Sequence, residues 1–92
     1  MQICKHFIVT GKVQGVYYRQ NTMEKAKSLG LTGWVQNLSD GSVELIACGE
    51  ADTIKQLESW LWQGPEAANV LDVRATDEPL QNFSDFKVER KK

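Results

Sequence analysis

Gly11-Lys12-Val13-Gln14-Gly15-Val16-Tyr17-Tyr18-Arg19 is the stretch where the chain changes its period. Before it, Ile3 to Thr10 alternates as a strand does: Phe7 and Val9 share one face, and Cys4, His6 and Ile8 the other. After it, Thr22, Met23, Ala26 and Leu29 recur at helical spacing, which predicts a helix from about Arg19 to Leu29. Gly30 suits the left-handed position just past a helix end. A strand, a turn with two glycines and a helix therefore open the fold.

Working outward, Gly33 to Leu38 reads as a second strand and Ser39-Asp40-Gly41 as a tight turn, with Asp-Gly as its signal. Ser42 to Cys48 is a third strand, with Val43, Leu45 and Ala47 on one face and Glu44, Ile46 and Cys48 on the other. A second helix runs from about Asp52 to Gln63. Ile54, Leu57, Trp60 and Leu61 form its apolar face, and Gly64-Pro65 stops it. Val70 to Thr76 and about Asp85 to Arg90 read as two more strands. The order is β-α-β-β-α-β plus one short extra strand, an α+β pattern with both helices on one face of a single sheet. The basic end, Arg90-Lys91-Lys92, reads as a frayed, solvated tail.

Composition limits the function. Ninety-two residues make one domain, residues 1–92, with a small core drawn from a 41% hydrophobic share. Lys and Arg number 11 and Asp and Glu 12, for a net charge of −1. A nucleic-acid binder of this size usually carries a basic excess, so a small, locally held anion is the better expectation. Met1-Gln2-Ile3-Cys4-Lys5-His6 has no long apolar run and does not read as a signal peptide. No stretch is long and apolar enough to span a bilayer. The expected compartment is the cytoplasm.

The turn suits an anion. Gly15 tolerates backbone angles that let neighbouring N–H groups converge. The helix behind it adds partial positive charge, and Arg19 a full one in a fork that grips two phosphate oxygens. The same residues also read as an ordinary strand-to-helix connection with an exposed arginine, and the loop alone does not separate the two. Asn37 is unfavourable inside a strand. Its plainer reading is entry into the following turn; its functional reading is a carboxamide that orients water.

Taken together the two segments are more specific. Gly11-x-Val13-Gln14-Gly15-Val16-x-Tyr18-Arg19 resembles the first signature of the acylphosphatase family. Gly33-Trp34-Val35-Gln36-Asn37, three residues, Gly41-x-Val43, five residues and Gly49 resemble its second. The resemblance covers nearly the whole chain, to Phe86-Lys87-Val88. It implies a ferredoxin-like α/β sandwich with a mainly antiparallel sheet. It also implies hydrolysis of small acyl phosphates to a carboxylate and inorganic phosphate. Arg19 and the backbone amides of Gln14, Gly15, Val16, Tyr17, Tyr18 and Arg19 would bind the phosphoryl group, and Asn37 would orient the attacking water. No metal or cofactor, no nucleic acid and no membrane partner is implied, and a monomer is the simplest expectation. The chain departs from the family at Tyr18, where Phe or Met is usual; the hydroxyl needs a partner if buried. Tyr17 occupies a variable slot at the mouth of the site.

Two readings compete with an enzyme. One is a non-catalytic anion-binding or regulatory module of the same fold, against which Arg19 and Asn37 both stand. The other is an RNA-recognition domain, which shares the element order but needs stacking aromatics that Ser42 to Cys48 lacks. His6 falls on the strand face away from the helices, with no carboxylate evident nearby, and reads as structural. Trp34 and Trp60 read as core or near-core, and Trp62 as partly exposed. Lys12 could add positive potential beside the loop. Cys4 and Cys48 lie at matching positions of neighbouring strands, within disulfide reach; in a cytosolic setting two free thiols are the expected state.

Overall fold

The alternating N-terminal segment forms β1 (Gln2–Lys12) in a computed structural model that describes residues 1–90; Lys91 and Lys92, the end of the tail read above, lie outside them. There follow α1 (Tyr18–Ser28), β2 (Thr32–Asn37), β3 (Val43–Glu50), α2 (Ala51–Gln63), β4 (Asn69–Glu78) and β5 (Phe86–Val88). The strands make one sheet in the order β4-β1-β3-β2-β5. Every pairing is antiparallel except that of β5 with β2, which is parallel. Both helices cover one face, as the sequence predicts, and the fold is ferredoxin-like.

Side-chain alternation decides which face they cover. Phe7 and Val9 of β1 and Val43, Leu45 and Ala47 of β3 are fully buried against Ile54, Leu57 and Leu61 of α2. Burial of each large aliphatic contributes about 1.5–3 kcal/mol, so α2 is held by its apolar stripe. The stripe on α1 is thinner: Tyr18, Thr22 and Ala26 are its buried residues. The other sheet face carries a small cluster of Cys4, Ile46 and Cys48, with Trp34 and Phe83 packed on it. Trp34 thus belongs to this second cluster and not to the main core. Trp60 borders the main core, and Trp62 is exposed, as expected.

Three expectations change. Cys4 pairs directly with Cys48 in the β1–β3 register, with Cα atoms 4.1 Å apart, and the two form a disulfide where free thiols were expected. His6 has a carboxylate beside it: its Nε2 lies 2.7 Å from Glu44 Oε2 on the outer face, and Gln36 Nε2 donates to Glu44 Oε1 at 2.6 Å. The two positions are diagonal across the β1–β3 pair, His6 facing Ile46 and Ile8 facing Glu44, a relation strand alternation alone does not reveal. Finally, the chain that leads into the tail is held to the sheet, although Arg90 itself is exposed and lies past the end of β5. The parallel pairing of β5 with β2 sets Val88 beside Val35, and Glu89 N–H donates to the Val35 carbonyl at 2.8 Å. The chain therefore continues along β2 toward Asn37.

β1 also carries a bulge. Its register on β4 shifts between Thr10 and Gly11, and Gly11 has φ +122°. A Cβ at Gly11 would lie 2.3 Å from the Asn69 carbonyl oxygen, so only glycine lets the two backbones approach here. The bulge redirects β1 as it enters the turn that follows.

Candidate active site

The turn between β1 and α1 wraps one end of the sheet. Gly15 has φ +75°, and Tyr17, without glycine's freedom, is also left-handed at φ 62°. That conformation costs a residue with a Cβ roughly 1–2 kcal/mol. Asn21 offsets the cost: both its backbone N–H (3.0 Å) and its Nδ2 (2.8 Å) donate to the Tyr17 carbonyl. Tyr17 is the N-cap of α1 yet caps nothing with its side chain. Among the described residues, no backbone carbonyl outside the regular elements accepts from the N–H groups of Gln14, Gly15, Val16 or Tyr17. Those groups and the first-turn N–H groups of α1 are thus a set of donors near a positive helix end.

Arg19 stands half-buried in the first turn of α1, and no ion pair among the described residues involves it. Asn37 ends β2, opposite Val43. Its Oδ1 is buried and has no hydrogen-bond partner among the described residues. An unpaired buried acceptor costs about 1–3 kcal/mol, and such an atom is poised for a donor brought from outside. Gln14, Gly15, Tyr17, Tyr18, Arg19 and Asn37 all line a single cavity of about 510 Å³. Val16 alone of the predicted set does not line it; its side chain is in the core. Lys12 is not a lining residue either.

Tyr18 answers the question its hydroxyl raised. The ring is buried, its centroid 5.7 Å from that of Trp60, and the hydroxyl donates to the Leu61 carbonyl in the last turn of α2 at 2.6 Å. Burial pushes this phenol above its ordinary pKa, so it stays a neutral donor. The loop is thereby pinned to α2.

Val13 and Gln20 also line the cavity, and sequence reading missed three further contributions. Gln14 was read for its backbone amide, but its Nε2 donates to the carbonyls of both Leu38 and Ser42, each at 2.8 Å. Val88 and Arg90 line the cavity through the β5–β2 pairing. The signal for Arg90 was the alternation of Phe86 and Val88, which sets a strand that leads into it. The β2–β3 turn that meets Gln14 is itself braced: Leu38 N–H donates to the Ser42 carbonyl, and Asp40 Oδ1 accepts from the Ser42 hydroxyl (2.5 Å) and N–H (2.9 Å). These bonds, the hydroxyl's first, hold the Asp40 carboxyl below the usual carboxylate range.

Comparison with known proteins agrees with this geometry. Residues 5–88 match the family model described as Acylphosphatase. An acylphosphatase of Coxiella burnetii is 51% identical over 87 residues, 95% of this chain and 92% of the relative. One of Marinobacter nauticus is 54% identical over 83 residues, 89% of this chain and 90% of the relative. A solved Coxiella burnetii acylphosphatase superposes with a TM-score of 0.93 at 50% identity, covering 96% of this chain and 93% of that one.

Proposed function

This chain belongs to the acylphosphatase family and is a hydrolase of that activity, and on that premise we propose how its residues divide the work. Arg19 and the backbone amides of Gln14 to Arg19 hold the phosphoryl group of an acyl phosphate. Asn37 orients the water that attacks phosphorus. The products are a carboxylate and inorganic phosphate. The observation that carries this reading is the sharing of one cavity by an arginine, a turn of N–H groups and a buried Asn37 Oδ1 that all lack a partner among the described residues.

The chemistry fits those groups. Phosphoryl transfer passes through a loose transition state with charge on three equatorial oxygens, and it needs positioning and charge stabilisation above all. Fixed N–H donors and a guanidinium supply both, and loss of one such donor costs about 10²-fold or more. An acyl phosphate has a good carboxylate leaving group, so no general acid is required. Asn37 takes no proton at neutral pH. Its carboxamide oxygen accepts a hydrogen bond from the water and aims the lone pair, while the water's proton passes to a phosphate oxygen of the substrate. His6 is set on the outer sheet face, bonded to Glu44, and has no part in the step.

The reading takes residues 1–92 as one domain acting as a cytoplasmic monomer. No helix among the described residues is long and apolar enough to cross a membrane. The Cys4–Cys48 pair tests the compartment, since a reducing cytoplasm would keep it as thiols. The test of function is hydrolysis of benzoyl phosphate by the purified protein without added metal. The expected result is turnover whose pH profile His6→Gln leaves unchanged. A limb of that profile that vanishes with His6→Gln, or with replacement of any single carboxylate, would contradict the proton route.

A further inference from the structure

We infer that the Gln14 side chain is a positioning residue that fixes the distance between the phosphate-holding turn and the water-orienting strand; the inference rests on the site reading proposed above. Gln14 lies in the turn between β1 and α1, and its Nε2 spends both hydrogens on the hairpin that follows Asn37. One goes to the Leu38 carbonyl and one to the Ser42 carbonyl, each at 2.8 Å. Those two residues are the last before and the first after the Ser39-Asp40-Gly41 turn, and they also bond each other through Leu38 N–H and the Ser42 carbonyl. Leu38 is the immediate neighbour of Asn37 in sequence. The carboxamide is thus a bridge from the backbone that carries the loop amides to the backbone that carries the Asn37 side chain.

No other hydrogen bond among the described residues joins these two segments. Their remaining links are the β1–β3 ladder, whose last pair is Val9 and Val43 before β1 enters the turn, and the buried core beneath, where Val13, Val35 and Val43 pack without directional preference. A directional bond is what hydrophobic packing lacks, and in-line attack demands direction. Displacement of a reacting group by about 1 Å costs up to roughly 10²-fold in rate. The consequence is specific: loss of the bridge lowers the rate of the chemical step while each half of the site, taken alone, keeps its own affinity.

The experiment compares Gln14→Met, which keeps bulk and loses the two donors, with Gln14→Ala as a second variant. Steady-state turnover of benzoyl phosphate and competitive inhibition by inorganic phosphate are measured in the native and Asn37→Ala backgrounds. The expected result is a fall in kcat of about 10- to 100-fold, with the phosphate inhibition constant within about threefold of native. In the Asn37→Ala background the same substitutions lower kcat by less than about threefold, because no oriented water is left to misplace. Native kcat in both variants would overturn the inference. So would weakened phosphate inhibition, or an undiminished loss of kcat in the Asn37→Ala background, since either assigns Gln14 to the loop alone. If Asn37→Ala by itself turns over normally, the site reading fails, and that failure is seen before Gln14 is considered.

Discussion

Tyr18 shows what one atom does at the site. Its hydroxyl caps a carbonyl of α2 and so joins the first turn of α1 to the last turn of α2. Tyr18→Phe leaves the Leu61 carbonyl unpaired in a buried place, and stability should fall by about 1–2 kcal/mol in urea unfolding. The penalty should depend on pH. The folded pKa lies above the ordinary value of 10.0, so the stability tied to the neutral phenol is intact below pH 10 and is lost as pH rises above it. The difference between native and Tyr18→Phe protein should therefore shrink in alkaline solution. A constant difference across pH 8 to 11 would place the hydroxyl in water. The need for a partner was legible from residue type; the partner was not, because Leu61 is 43 residues away. Asn37 was legible in the same partial way. Its type and place pointed to water, but only packing shows that its oxygen is left unpaired.

Elements were more legible than the contacts between them. Period-two alternation placed the first, third and last strands, and the strong stripe of α2 fixed that helix within a residue of its observed start. α1 begins at Tyr18, one residue before the expected Arg19, because Tyr18 is drawn into the core and takes the helix start with it. β4 runs to Glu78, beyond the expected Thr76, since pairing with β1 sustains it where its own side chains are polar. The β1 bulge has no signal in alternation except its glycine. Gly11→Ala would press a Cβ against the Asn69 carbonyl and Leu71 N–H, backbone atoms that cannot rotate away. The expected cost is about 2–3 kcal/mol, read as a lower urea midpoint at an unchanged slope. Because the bulge aims the turn, kcat on benzoyl phosphate should fall as well. An alanine variant with native stability would show that β4 yields freely at this point.

At the scale of the whole molecule, the sheet separates stability from chemistry. The disulfide joins residues 44 apart on the face away from the helices. Cys4 precedes Lys12 by eight residues along β1, or about 26 Å at strand rise. A closed loop of 44 residues stabilises by about 4 kcal/mol in the chain-entropy account, and measured values run at about 2–4. Reduction should lower unfolding stability by about that amount and leave kcat and KM at 25 °C unchanged. A change in KM on reduction would reveal coupling along β1. The site itself draws on three separated parts of the chain: the loop after β1, the end of β2 and the continuation of β5. The central claim is that the first of these holds phosphate and the second aims water. It is tested most directly by competitive inhibition by inorganic phosphate, measured with kcat for Arg19→Ala and Asn37→Ala. Arg19→Ala should lose phosphate inhibition together with activity. Asn37→Ala should lose about 10²-fold or more in kcat while phosphate inhibits it within about threefold of native. Near-native turnover by Asn37→Ala, or equal loss of phosphate inhibition in both variants, would contradict the division.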